Sequence, residues 1–173
     1  IYCIMSIFKG FLITQLTETI FTILTGSLSD GQKLTLVFWF FIVGISMYTF
    51  INYFYSEKKF WTFRILGSVF YMYNFFILQG WFIAERAKFS ILAALPLAIL
   101  ILYKTLVKEY SLLKGTIMFS FIFFFLNGGG ATPLYGSIFL AYVLVFIYLT
   151  FVNVIKEGFR AILFLLRVAL SFA

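Results

Sequence analysis

The side chains able to do chemistry are few, and they sit between or beside long apolar runs. They are the acids Glu18, Asp30 and Glu85, Arg86 beside the last of these, and the stretch Asn127-Gly128-Gly129-Gly130. Glu18 shares a helical face with Thr14, Thr22 and Thr25. At membrane depth such a carboxylate lines a cavity or pairs with a cation; on an interfacial helix it simply stands in water. Glu85 could act as a base or metal ligand, and Arg86 could grip a phosphate; the plain alternative is a solvated loop pair. Asp30 carries the same two readings. The backbone N–H groups of 127–130 can approach an anion closely, or the stretch is only a turn between two spans. It lacks the Lys and Ser/Thr of a P-loop.

Other chemistries are poorly supplied. The 173 residues include no His, and the single Cys is Cys3. Haem ligation by His, a Cys/His zinc site and a Ser-His-Asp set therefore have almost nothing to be built from, and no metal or other cofactor is expected.

The elements that must position these residues are membrane helices. The chain is 64% hydrophobic and 11% charged, with 26 Phe. Leu34–Ser56, Ile65–Ala84 and Gly115–Ile155 contain no charge at all. A hydrocarbon core of about 30 Å takes about 20 apolar residues in a helix. Continuous apolar runs, rather than segments alternating at every second residue, select helices over a barrel. The expected fold is all-α: a single polytopic transmembrane helix bundle over 1–173, with five to six membrane helices after an N-terminal amphipathic helix.

That amphipathic helix is placed within 8–28, from apolar Phe8, Leu12, Leu16, Ile20 and Leu24 at helical spacing. Gly26–Gly31 reads as a loop. Spans follow near 34–55, 63–83, 89–103, 105–126 and 134–155, with 156–173 interfacial or opening another crossing. The third is only 15 residues between Lys88 and Lys104, and Pro96 inside it removes a backbone donor. A kink is expected there, with the freed carbonyl near position 92 met by a neighbouring helix or water. The chain opens on Ile1 without the basic head and cleavage site of a signal peptide, which predicts a segment of something longer.

The net charge of +7 is read as helix-end anchoring on the cytoplasmic side rather than nucleic-acid binding. Loops 56–64, 103–114 and 156–160 hold eight basic residues against three in 29–33, 84–88 and 127–133. The first set is therefore expected on the cytoplasmic side. Asp30, Glu85, Arg86 and the Gly-rich loop then share the outer face.

One order of features matches a known pattern. Leu36–Tyr48 ends in Gly44-x-x-Met47-Tyr48, a basic loop follows, and Arg64-Ile-Leu-Gly-Ser-Val-Phe-Tyr-Met-Tyr-Asn74 opens the next span. Ala94-Leu-Pro-Leu-Ala98 then precedes a second basic loop, and Asn127-Gly-Gly-Gly-Ala-Thr-Pro133 ends a later span. Over about 34–150 this resembles the middle of GT-C type membrane glycosyltransferases and YfhO-like proteins. The resemblance implies sugar transfer from a polyprenyl-phosphate donor on the outer face, with Asp30, Glu85 and Arg86 near donor phosphate or metal. It departs from that family in length and in lacking a clearly acidic first outer loop. The rival expectation is a non-catalytic small subunit of a larger respiratory or energy-converting membrane complex, surrounded by lipid and other membrane subunits. A transporter would need inverted repeats or paired broken helices, hinted at only by the 127–133 break.

Overall fold

A computed structural model describes residues 2–74, 86–126, 140, 143–148 and 151, with side chains for 14–74, 89–122 and those last positions. Every regular element among them is helical: α1 (Tyr2–Thr25), α2 (Leu28–Phe54), a 3-10 turn (Lys58–Phe60), α3 (Trp61–Met72), α4 (Arg86–Leu106) and α5 (Leu112–Leu126). Two stretches, Leu28–Phe54 and Phe89–Leu106, are long and apolar enough to cross a membrane. At 1.5 Å per residue α2 is about 40 Å long, more than a hydrocarbon core needs. Of the five expected spans, 34–55 and 89–103 thus correspond to helices of crossing length. The remainder of 63–83 beyond residue 74, and most of 134–155 and 156–173, lie outside the described residues.

The boundaries differ from the sequence reading in instructive ways. The expected loop 26–31 shrinks to Gly26 and Ser27. Gly26 takes a φ of +68°, a conformation glycine adopts without steric cost. Ser27 then caps α2, its Oγ accepting from the Asp30 N–H at 3.5 Å. The expected 15-residue third span is a 21-residue helix, because α4 runs from Arg86 through Lys104 to Leu106. The fourth helix accordingly starts at Leu112, not Thr105, after a turn in which Lys108 has positive φ.

Two compact units are distinguished. One contains α1–α3 and α4 up to Leu97; the other contains α4 from Ala98 and α5 up to Phe123. In the first, α1 and α3 each pack along α2. Trp39 and Val43 of α2 form a buried cluster with Phe89, Leu92 and Ala93 of α4. Phe40 adds edge-on ring contacts to Tyr73 and Phe89, at 5.3 and 6.5 Å between centroids; such pairs add about 0.5–1.5 kcal/mol beyond their burial.

The packed faces carry polar as well as apolar side chains, while large apolar side chains also face outward. The buried side of α2 carries Gly31, Thr35, Trp39, Val43, Gly44, Ser46 and Ile51. Thr35 is 0% exposed, whereas Phe41 and Ile45 on the opposite side are both 58% exposed. On α3, Arg64 and Ser68 are buried while Leu66 and Phe70 are exposed. Helix α1 follows the same rule. Thr14 is buried and the Trp39 indole N–H donates to Thr17 Oγ1 at 3.4 Å, while Leu16, Ile20, Ile23 and Leu24 face outward. Part of the threonine face of the expected amphipathic helix is therefore turned onto α2.

Inward-facing small residues let the helix backbones approach, as in membrane helix pairs. A Cβ added to Gly31 would lie 2.7 Å from both Cα and N of Thr22. One added to Gly44 would strike the Met72 side chain. In the second unit, Gly115 of α5 lies against the Thr105 side chain of α4 in the same way.

Helix α4 continues across Pro96. Proline cannot donate to the carbonyl four residues earlier, which is that of Leu92. That carbonyl accepts the Tyr71 hydroxyl of α3 at 3.0 Å. The freed acceptor is thus met by a neighbouring helix, one of the two partners expected for it.

Candidate functional site

The predicted outer-face set is only partly visible. Asp30 lies in the first turn of α2, where a carboxylate is favoured by the helix dipole. It pairs with Lys33 at 3.1 Å, both side chains being more than half exposed. Glu18 is half-buried on α1. Glu85 and Asn127, Gly128, Gly129 and Gly130 lie outside the described residues, and Arg86 is described only as the first backbone position of α4. Among the described residues no three His, Cys, Asp or Glu side chains gather as a metal would need.

The best-built polar cluster was not singled out from the sequence as a site. It lies at the turn joining α2 to α3. Arg64, expected from the sequence at the end of a basic loop and the opening of the next span, is 7% exposed. Its Nη1 donates to Asn52 Oδ1 on the last turn of α2 and to the Ser56 carbonyl at 3.1 Å. Its guanidinium carbon lies 5.8 Å from the centre of the Tyr48 ring. Among the described residues its buried Nε finds no acceptor. Asn52 and Tyr48, four residues apart on α2, meet the same side chain of α3 because one helical turn separates them. That spacing was the available signal; what it could not give was which way the long Arg64 side chain points.

The surface of this turn is basic and aromatic. Lys58 and Lys59 are exposed. Glu57 is bonded to Lys59 at 2.7 Å, and the Lys59 ammonium also sits 4.9 Å from the Phe60 ring centre. Phe54, Tyr55, Trp61 and Phe63 are exposed beside them.

In the second unit, the turn between α4 and α5 repeats this chemistry. The ammonium groups of Lys104 and Lys114 lie 5.2 and 4.4 Å from the centre of one ring, that of Tyr110. Cation–π attraction holds each lysine there. Ser111 caps α5, its Oγ accepting from the Lys114 N–H at 3.3 Å.

No protein family, curated protein or solved structure matches the chain.

Proposed function

We propose that this chain is a polytopic integral membrane protein serving as a non-catalytic component of a larger membrane assembly. The observation that supports this reading is the use made of its buried hydroxyls. Thr35, Ser46, Ser68 and Thr105 each donate to a carbonyl three or four residues earlier in their own helix. Such back-bonding satisfies the hydroxyl inside the helix that carries it. Buried polarity is thereby spent on helix packing, which is what a structural subunit requires. In this reading the helices from α2 onward cross the bilayer in alternation, with 56–64 and 103–114 on the cytoplasmic side.

Two experiments test it. The full reading frame, tagged at its own locus and extracted in mild detergent, should migrate in native gels with stoichiometric partner chains. Migration as a single chain in its micelle would contradict the subunit assignment. In a Cys3→Ser background, a cysteine at position 30 should react with a membrane-impermeant reagent added outside, and one at position 59 should not. The reverse pattern would invert the orientation.

The glycosyltransferase core is the second reading. It is favoured by the motif resemblance and by the open position of Asp30 at the head of α2. Under it, Asp30, Glu85, Arg86 and the amides of 128–130 would face a polyprenyl-phosphate sugar. Asp30→Asn and Arg86→Gln should then each abolish transfer from such a donor in membranes carrying the full chain. Unchanged transfer in both would remove those residues from the reaction.

A further inference from the structure

An arginine at a helix end in a membrane protein is ordinarily free to reach water or headgroups by its long stem. Arg64 is instead folded inward, 7% exposed, and its two acceptors, Asn52 and the Ser56 carbonyl, are neutral. The nearest acid in sequence, Glu57, is bonded to Lys59. Three cations, Lys58, Lys59 and Arg64, thus share one turn with a single carboxylate, and the buried Nε finds no acceptor among the described residues. A guanidinium without an anionic partner is costly away from bulk water, and a charged acceptor makes a hydrogen bond about twice as strong as a neutral one. The turn is also banded by exposed Phe54, Tyr55, Trp61 and Phe63. Aromatic side chains concentrate at headgroup depth, where phosphates are dense and one leaflet is anionic.

We propose that the α2–α3 turn is a binding site for the phosphate of an anionic phospholipid, with Arg64 as its principal ligand and Lys58 and Lys59 drawing the headgroup in. The Arg64 head swings toward the turn surface and exchanges the Ser56 carbonyl for phosphate oxygen. Asn52 and the Tyr48 ring keep the guanidinium oriented. The acyl chains lie along the exposed apolar side of α3, at Leu66 and Phe70. This inference rests on the membrane reading given above.

The test is native mass spectrometry of the purified full chain from micelles containing equal amounts of phosphatidylglycerol and phosphatidylcholine with the same acyl chains. The expected result is retained phosphatidylglycerol, favoured about tenfold, the factor carried by 1.4 kcal/mol. Arg64→Gln should bring the preference to near parity. Lys58→Gln, an exposed change that leaves the fold intact, should lower it about fivefold, since a basic residue near an anionic surface contributes about 1 kcal/mol. Lys33→Gln, at the other end of α2, should leave it unchanged. Equal retention of both lipids by the unaltered protein would overturn the proposal, as would an undiminished preference in Lys58→Gln. Displacement of the lipid by millimolar inorganic phosphate would overturn a lipid as the occupant. A chain that fails to float with vesicles at all would instead refute the membrane reading, so the two failures are distinct.

Discussion

Gly31→Val is expected to separate α1 from α2. The new Cβ would be driven to 2.7 Å from Cα and N of Thr22, and backbone atoms cannot rotate away as a side chain can. Overpacking of this kind costs typically 1–3 kcal/mol and occasionally more, and a β-branched residue recovers little of the helix propensity that glycine lacks. We expect a loss near the top of that range. Gly67→Ala is the matched control. Its added Cβ would meet the Ile51 Cδ1 tip, with the next atom 4.0 Å away. That methyl can move, and about 1 kcal/mol of helix propensity offsets the crowding. The readout is unfolding of the detergent-solubilised protein in sodium dodecyl sulfate. Stability should fall sharply in Gly31→Val and change little in Gly67→Ala. Equal stability of the two variants would show that the glycine contact does not set the helix separation.

Tyr71→Phe is expected to destabilise the first unit by about 1–3 kcal/mol, the cost of leaving a buried acceptor without its donor. The ring stays, so packing changes little. The decisive comparison is a double-mutant cycle with Pro96→Ala. Alanine supplies the backbone N–H that position 96 lacks, and the Leu92 carbonyl regains an intrahelical partner. Tyr71→Phe should then cost much less in the Pro96→Ala background, with a coupling of at least about 0.5 kcal/mol for groups sharing one acceptor. Unfolding of the detergent-solubilised protein in sodium dodecyl sulfate measures all four corners. Strict additivity would mean that the Tyr71 hydroxyl does not serve the carbonyl freed by proline.

The two helices of crossing length were legible because uncharged runs of this length have few other solutions, and the need for a partner at the Leu92 carbonyl followed from proline's missing donor. The ends of elements were not. Charge alone suggests that Lys104 lies in a loop, yet α4 carries it inside its last turn, where a cation suits the helix dipole. Gly26–Gly31 was read as a loop from two glycines, but Ser27 followed three residues later by Asp30 is itself a helix-start pattern, and Gly31 is a packing residue. Most of the candidate site was not legible either. Asp30 could be placed by type alone. That Arg64 would turn inward onto Asn52 and Tyr48 depends on how α2 and α3 pack, which a single sequence does not encode locally. The hidden polarity of α1 was half visible: the threonine face was recognised, but only its packing on α2 shows that part of it points inward.

The most direct measurement is the environment of the outward faces. Nitroxide labels placed singly at Ile45, Phe70 and Leu113, in a Cys3→Ser background and in lipid bilayers, report collisions with dissolved oxygen and with a water-soluble nickel chelate. These positions are among the exposed apolar side chains of α2, α3 and α5. If helices with buried hydroxyls and exposed phenylalanines sit in lipid, oxygen collisions will be frequent and nickel collisions rare at Ile45 and Phe70. At Leu113, in the first turn of α5, the balance will shift toward nickel. Frequent nickel collisions at Ile45 and Phe70 would mean that water covers these faces, and the membrane assignment would fall.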